Sequence, residues 1–156
     1  MSANWWIVFT VTFIWMEWMA WFLHKYVMHG FLWVLHKDHH IVDKTKAYQK
    51  NDFFAVFFAV PSFLCILFDS LYSIPLLGAF GYGVMAYGFA YFFVHEIIIH
   101  RRFRFIKIKN NWYVRAVNSA HKIHHSVRTK EGASNFGMLV VPVKYFKLKK
   151  VQTKII

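Results

Sequence analysis

Thiols are almost absent from this chain. Cys65 is its single cysteine, so an intrachain disulfide is excluded, and with it a metal site built from thiolates. Acidic residues are scarce too, seven against nineteen Lys and Arg, for a formal charge of +12. Taken alone, that excess would suit a nucleic-acid partner. Its distribution argues against one, because residues 1–24 and 51–100 contain no Lys or Arg at all. No flavin, haem or nucleotide fingerprint occurs, so any electrons the chain uses must come from outside it. The N-terminus has no basic stretch followed by a small-residue cleavage site, and the first apolar segment is therefore expected to stay as an anchor.

The composition is 58% hydrophobic and 21% aromatic, more than a soluble domain of this size carries. Trp5–Leu23 is apolar apart from Thr10, Thr12 and Glu17 and is long enough for a helix to cross the hydrocarbon. Phe53–Phe68 is a second such segment, with Asn51 and Asp52 as suitable N-cap residues. Ile74–Val94 is a third, and its Gly78, Gly81, Gly83 and Gly88 would let neighbouring helices approach closely. Glu17 either faces the bundle as a functional polar group or reaches water at the interface. Gly132–Val143 is apolar but too short to cross, and is expected to be re-entrant or interfacial.

The basic residues fall in two segments, Lys25–Lys50 and Arg101–Lys154. Placing both on the inner side requires an even number of crossings between them, and two fit the gap. The expected topology has the N-terminus outside, three spans, and both basic segments in the cytoplasm. The tail KYFKLKKVQTKII at 144–156 suits the anionic inner leaflet.

All ten histidines fall into four clusters: His24 with His29, His36 with His39 and His40, His95 with His100, and His121 with His124 and His125. The pattern is HxxxxH followed by HxxHH, given twice, and both copies lie at the cytoplasmic ends of the expected spans. Positions i, i+3 and i+4 share a helix face and can converge on neighbouring metal ions, so each triplet is a ready ligand set. Positions i and i+5 lie about 140° apart on a regular α-helix. A helix end, for which Gly30 is suited, or a π-bulge would bring such a pair together; otherwise its two rings serve different metals.

Neutral imidazoles with few carboxylates suit iron, zinc, copper or nickel. Two octahedral ions taking about five histidines each would keep about one open position apiece, as oxygen activation requires. That favours two irons with O₂, although a purified sample could carry zinc. Asp38, Glu96, Asn118 and Ser126 are candidates to orient the imidazoles from behind. No catalytic side chain beyond the ligands is expected. A non-catalytic metal carrier would be expected to string its ligands along a path through the spans, and a bis-histidine cytochrome to pair histidines on facing helices.

The contexts HKYVMHG at 24–30, ND with an aromatic and AV at 51–56, AYG at 86–88 and AHKIHHSVRTKEG at 120–132 followed by SNFGML resemble the membrane-bound fatty acid hydroxylase superfamily, and within it the bacterial β-carotene hydroxylases. The resemblance runs over most of the chain. It implies an all-α integral membrane helical bundle of about three spans, formed as one domain over residues 1–156, with a histidine-rich di-iron site on its cytoplasmic side. It implies a monooxygenase of the bacterial inner membrane that hydroxylates C3 of each β-ionone ring, giving β-cryptoxanthin and then zeaxanthin, with all ten histidines as iron ligands. The partners implied are the bilayer, the carotenoid and a ferredoxin with its NAD(P)H-dependent reductase. Arg101, Arg102, Arg104, Lys107 and Lys109 are complementary to such an acidic carrier and equally suited to the anionic leaflet. A sterol or fatty-acyl hydroxylase or desaturase, or a carotenoid ketolase, would use the same metal chemistry.

Overall fold

The computed structural model describes residues 1–41, 48–103 and 105–147. Arg104 and the tail from residue 148 onward, both assigned roles above, lie outside the described residues. All the regular structure among the described residues is helical. Helix α1 (Ala3–Phe22) begins on the Ser2 side chain, which accepts from the Trp5 amide. It runs without a break into a π-helical stretch, Leu23–Phe31, that kinks at Gly30. A short helix, α2 (Trp33–His40), follows. Helix α3 (Phe53–Tyr72) is entered through a 3₁₀ turn at Lys50–Asp52. Helix α4 (Pro75–Phe92) again continues into a π-helical stretch, Phe93–Ile99. Helix α5 (Trp112–His125) is capped by Asn111, whose side chain accepts from the Val114 amide.

Three of these segments, Ala3–Phe31, Lys50–Tyr72 and Pro75–Ile99, are long and apolar enough to cross a membrane. Their outward faces carry large apolar side chains such as Trp6, Trp15 and Trp18 on α1 and Phe57 and Phe63 on α3, all exposed. Such a surface is stable in lipid and costly in water. The link between the second and third segments is two residues long, and Ser73 at φ 55° makes the turn possible.

Helix α4 is central. A Cβ at Gly81 would lie 2.9 Å from the Ser62 carbonyl oxygen of α3, and one at Gly83 would lie 2.9 Å from the Phe9 carbonyl oxygen of α1. Backbones touch there because the side chains are absent, which is how helices associate in a solvent as apolar as they are. The Ser62 hydroxyl donates to the Gly81 carbonyl at 2.8 Å. Beyond the three long segments, α5 packs on the π end of α4 through Val94, Ile98, Val114, Val117 and Ala120, with Val141 and Tyr145 closing the cluster.

Residues 127–142 form an irregular strap with left-handed turns at Gly132 and Asn135. It leaves the end of α5 and returns along α1, where the Met138, Leu139 and Val140 amides all donate to Glu17. Glu17 stands seven residues before His24, about 10 Å along the helix. Of the two possibilities for Glu17, the inward-facing one is realised.

Candidate metal centre

The two π-helical stretches solve the problem posed by the i, i+5 spacing. Where each amide bonds to the carbonyl five residues back, residue i+5 sits roughly above residue i. The Leu32 amide donates to Val27 at 3.0 Å and the His100 amide to His95 at 2.9 Å. The rings of His24 and His29 therefore come to 5.4 Å between centroids and those of His95 and His100 to 4.5 Å. The members of each pair face one site rather than two.

Nine histidines form two groups that could each hold an ion: His24, His29, His36, His40 and His124, and beside them His39, His95, His100 and His121. The tenth, His125, lies between the groups, its ring 4.4 Å from that of His121, 4.7 Å from that of His39 and stacked at 4.5 Å on His40. Its buried Nε2 has no hydrogen-bond partner, as a nitrogen awaiting a metal would not. The HxxHH triplets are split between the groups. His36 and His40 turn to one and His39 to the other, while His124 and His121 separate in the same way, so each triplet spans both groups.

Tautomers are decided from behind the rings. The Nδ1–H groups of His24, His29, His40 and His124 donate to the backbone carbonyls of Phe136, Lys130, Val127 and Ser134, at 3.0, 3.0, 2.8 and 2.8 Å. His36 donates to Asn51 Oδ1 at 2.6 Å, His39 to Gln49 Oε1 at 2.9 Å and His95 to Glu96 Oε1 at 2.6 Å. Each of these rings then presents an unprotonated Nε2. Yet Nε2 atoms approach one another at 3.1 Å in His24–His36 and His29–His40, 3.2 Å in His29–His124 and 3.0 Å in His39–His95. No proton is available to bridge these lone pairs, and a cation between them resolves the repulsion. Adjacent nitrogens around an octahedral ion, each about 2.1 Å from it, are about 3.0 Å apart, which matches. A porphyrin does not fit between nitrogens this close.

Burial favours the neutral form of His39, His40, His121 and His124, as ligation requires. It pushes His40 down to about 4, and His124 to about 3 with His40 beside it adding to the effect. His39 and His121 are also lowered well below the ordinary value, by burial and then by the neighbouring His95.

Of the four candidates for orienting imidazoles, Glu96 alone does so. Asp38 accepts from the Lys50 amide, the Asn118 side chain donates to Val114 and the Ser126 hydroxyl to Ile123. Asn51 and Asp52, expected as helix caps, also serve the site: Asp52 stands at the N-cap of α3 and closes a capping box with Gln49. Asn51 holds His36. Asp52 accepts from the Gln49 amide at 3.1 Å and pairs with Arg102 at 2.9 Å, while Arg102 also lies 2.8 Å from Glu96. Gln49 and Glu96, which hold His39 and His95, are thus joined through one ion-pair network. Arg102, expected on a carrier-facing surface, is committed to it.

A cleft of about 470 Å³ is lined by Phe13, Glu17, Trp18, Trp21, Tyr87, Leu139 and Val140. Trp21 stands one helical turn before His24. Ile14, Trp18 and Val140 are exposed on the outward face, so the cleft opens where lipid would be.

A model of the fatty acid hydroxylase family matches residues 9–145. The chain is similar to the beta-carotene hydroxylase of Pantoea ananas, with 44% identity over 136 residues that cover 87% of this chain and 76% of that protein. It is also similar to the beta-carotene hydroxylase of Paracoccus sp. (strain PC1), with 35% identity over 87% of this chain and 83% of the relative. The chloroplastic beta-carotene 3-hydroxylase of Haematococcus lacustris is 37% identical over 81% of this chain and 40% of its own length. No solved structure matches the chain.

Proposed function

The chain belongs to the fatty acid hydroxylase family, and from that premise we propose that it is a β-carotene 3-hydroxylase, an O₂-dependent monooxygenase acting on both β-ionone rings by way of β-cryptoxanthin to zeaxanthin. The observation that carries the metal chemistry is the inward convergence of imidazoles whose Nδ1–H groups are already spent on acceptors. The substrate follows from the relatives, whose names specify beta-carotene hydroxylation across bacteria and a chloroplast.

All ten histidines are proposed as ligands of two irons, with His125 completing the second set. Bound there, iron supplies the oxidant that dioxygen and electrons generate, strong enough to break the unactivated C3–H bond that acid–base side chains cannot touch. The chain's own residues do the rest. The strap carbonyls, Asn51, Gln49 and Glu96 fix ring orientation and tautomer. The apolar cleft beside Trp21 fits a β-ionone ring arriving from the bilayer and keeps water away from it. One oxygen atom enters the ring carbon and the other leaves as water, so every ring consumes two electrons from an external donor.

That donor is proposed to be a ferredoxin with its NAD(P)H-dependent reductase, meeting the exposed Arg101, Lys107 and Lys109. The distribution of Lys and Arg supports a multi-pass protein of the bacterial inner membrane with its N-terminus outside and the histidines on the cytoplasmic side. The test is pigment formation in cells that accumulate β-carotene.

A further inference from the structure

Glu17 is an acid in the middle of an apolar segment, where an ionisable side chain is costly unless it is fully engaged. It is engaged by four donors. Oε1 accepts from the Met138, Leu139 and Val140 amides at 2.9, 3.1 and 3.0 Å, and Oε2 from the Leu139 amide at 3.0 Å and the Tyr87 hydroxyl at 2.7 Å. Both oxygens are occupied, so Glu17 has no lone pair aimed at a substrate in the adjoining cleft.

What the carboxylate grips is informative. Only Gly137 separates the first amide it binds, Met138, from Phe136, whose carbonyl holds His24. The same strap supplies the carbonyls of Val127, Lys130 and Ser134 to His40, His29 and His124. Four of the five members of the first histidine group therefore take their orientation from one irregular segment, and that segment is tied to α1 through Glu17. Gly137 is part of the same fitting: a Cβ there would stand 2.9 Å from the Val140 carbonyl oxygen and 3.3 Å from Glu17 Oε1. The second group is held differently, by Gln49 and Glu96 through Asp52 and Arg102.

We infer that Glu17 is a positioning residue for the first metal site alone, acting through the strap backbone on the rings of His24, His29, His40 and His124. The inference rests on the two-metal reading above. A carboxylate is required because it offers acceptors only, on two oxygens. A carboxamide would turn an N–H toward an amide N–H and loosen the strap at Met138–Val140, two to four residues from Phe136.

The test is cobalt(II) titration of the full-length apoprotein in detergent, following the visible bands, with thermal melting of each variant alongside. The parent binds two equivalents. In Glu17→Gln one equivalent weakens by about ten- to a hundredfold, the usual effect of losing support behind a ligand, while the other keeps its parental affinity. Gly137→Ala, which leaves the carboxylate in place, gives the same selective loss and stands in should Glu17→Gln fail to fold. Glu96→Gln weakens one equivalent as well, and the double variant Glu17→Gln with Glu96→Gln weakens both, showing that the two act on different sites. Glu17→Gln and Gly137→Ala variants that bind both equivalents as the parent does overturn the inference and leave the two-metal reading intact. Equal weakening of both equivalents with a lowered melting temperature also overturns it, in favour of a general structural role. A well-folded parent that binds fewer than two equivalents overturns the two-metal reading and the inference with it.

Discussion

The Arg102 guanidinium lies 2.8 Å from the Glu96 carboxylate, and Glu96 in turn accepts from His95 Nδ1 at 2.6 Å. A residue that sequence position would assign to the protein's basic surface is thus one side chain removed from a proposed iron ligand. The network continues through Asp52 to Gln49 and His39, so one cation steadies two rings whose Nε2 atoms are 3.0 Å apart.

Arg102→Ala is therefore expected to lower turnover by about tenfold or more through weakened metal retention. The KM for the electron carrier should hardly change. Steady-state kinetics with varied carrier, set beside metal analysis of the same samples, separates the two effects. A raised carrier KM with full metal content would place Arg102 in docking instead.

Metal removal should destabilise the fold, because the convergent lone pairs then lose the cation that reconciles them. Dialysis of purified protein against a chelator is expected to lower the melting temperature. Iron, zinc or cobalt should each restore it, since all accept imidazole, but only iron should restore hydroxylation. Unchanged melting after verified metal loss would contradict the fit of the histidine groups to ions.

Much of this centre is visible in the sequence because its signals are local. The i, i+3, i+4 and i, i+5 spacings depend on residues within one or two helical turns, and the distorted helices at Leu23–Phe31 and Phe93–Ile99 are what the i, i+5 pairs demand for two rings to face one point. The support behind the rings leaves no such trace. Phe136 holds His24 from 112 positions away, and it does so with a carbonyl that every residue type possesses. Asn51 and Asp52 do stand out, but a polar pair just before an apolar helix reads first as a cap. Glu17 is conspicuous as a lone acid, while its partners are backbone amides 121 to 123 positions later. The triplets are legible as sets able to bind metal, whereas their division between two groups depends on how helices meet.

The cleft can be probed where its wall is already exposed. Val140→Trp adds bulk at a residue lining the cleft without entering the buried core. It should reduce conversion of β-carotene by about tenfold or more with metal content unchanged. Wild-type pigment yields from a stably inserted variant would direct attention to another approach to the metals.

Orientation in the bilayer is testable with thiols, because Cys65 is the only cysteine. In a Cys65→Ala background, Ser73→Cys should react with a membrane-impermeant reagent added to intact spheroplasts, and Glu131→Cys only after permeabilisation. The opposite labelling pattern would invert the proposed topology.

The most direct measurement is pigment analysis of β-carotene-accumulating cells that express either the parent chain or His124→Ala at matched membrane levels. The parent should yield β-cryptoxanthin and zeaxanthin, and His124→Ala, lacking a ring from the first histidine group, should leave β-carotene unchanged. A well-inserted parent that leaves β-carotene untouched, or a His124→Ala variant that still produces zeaxanthin at the parental rate, would contradict the proposed function.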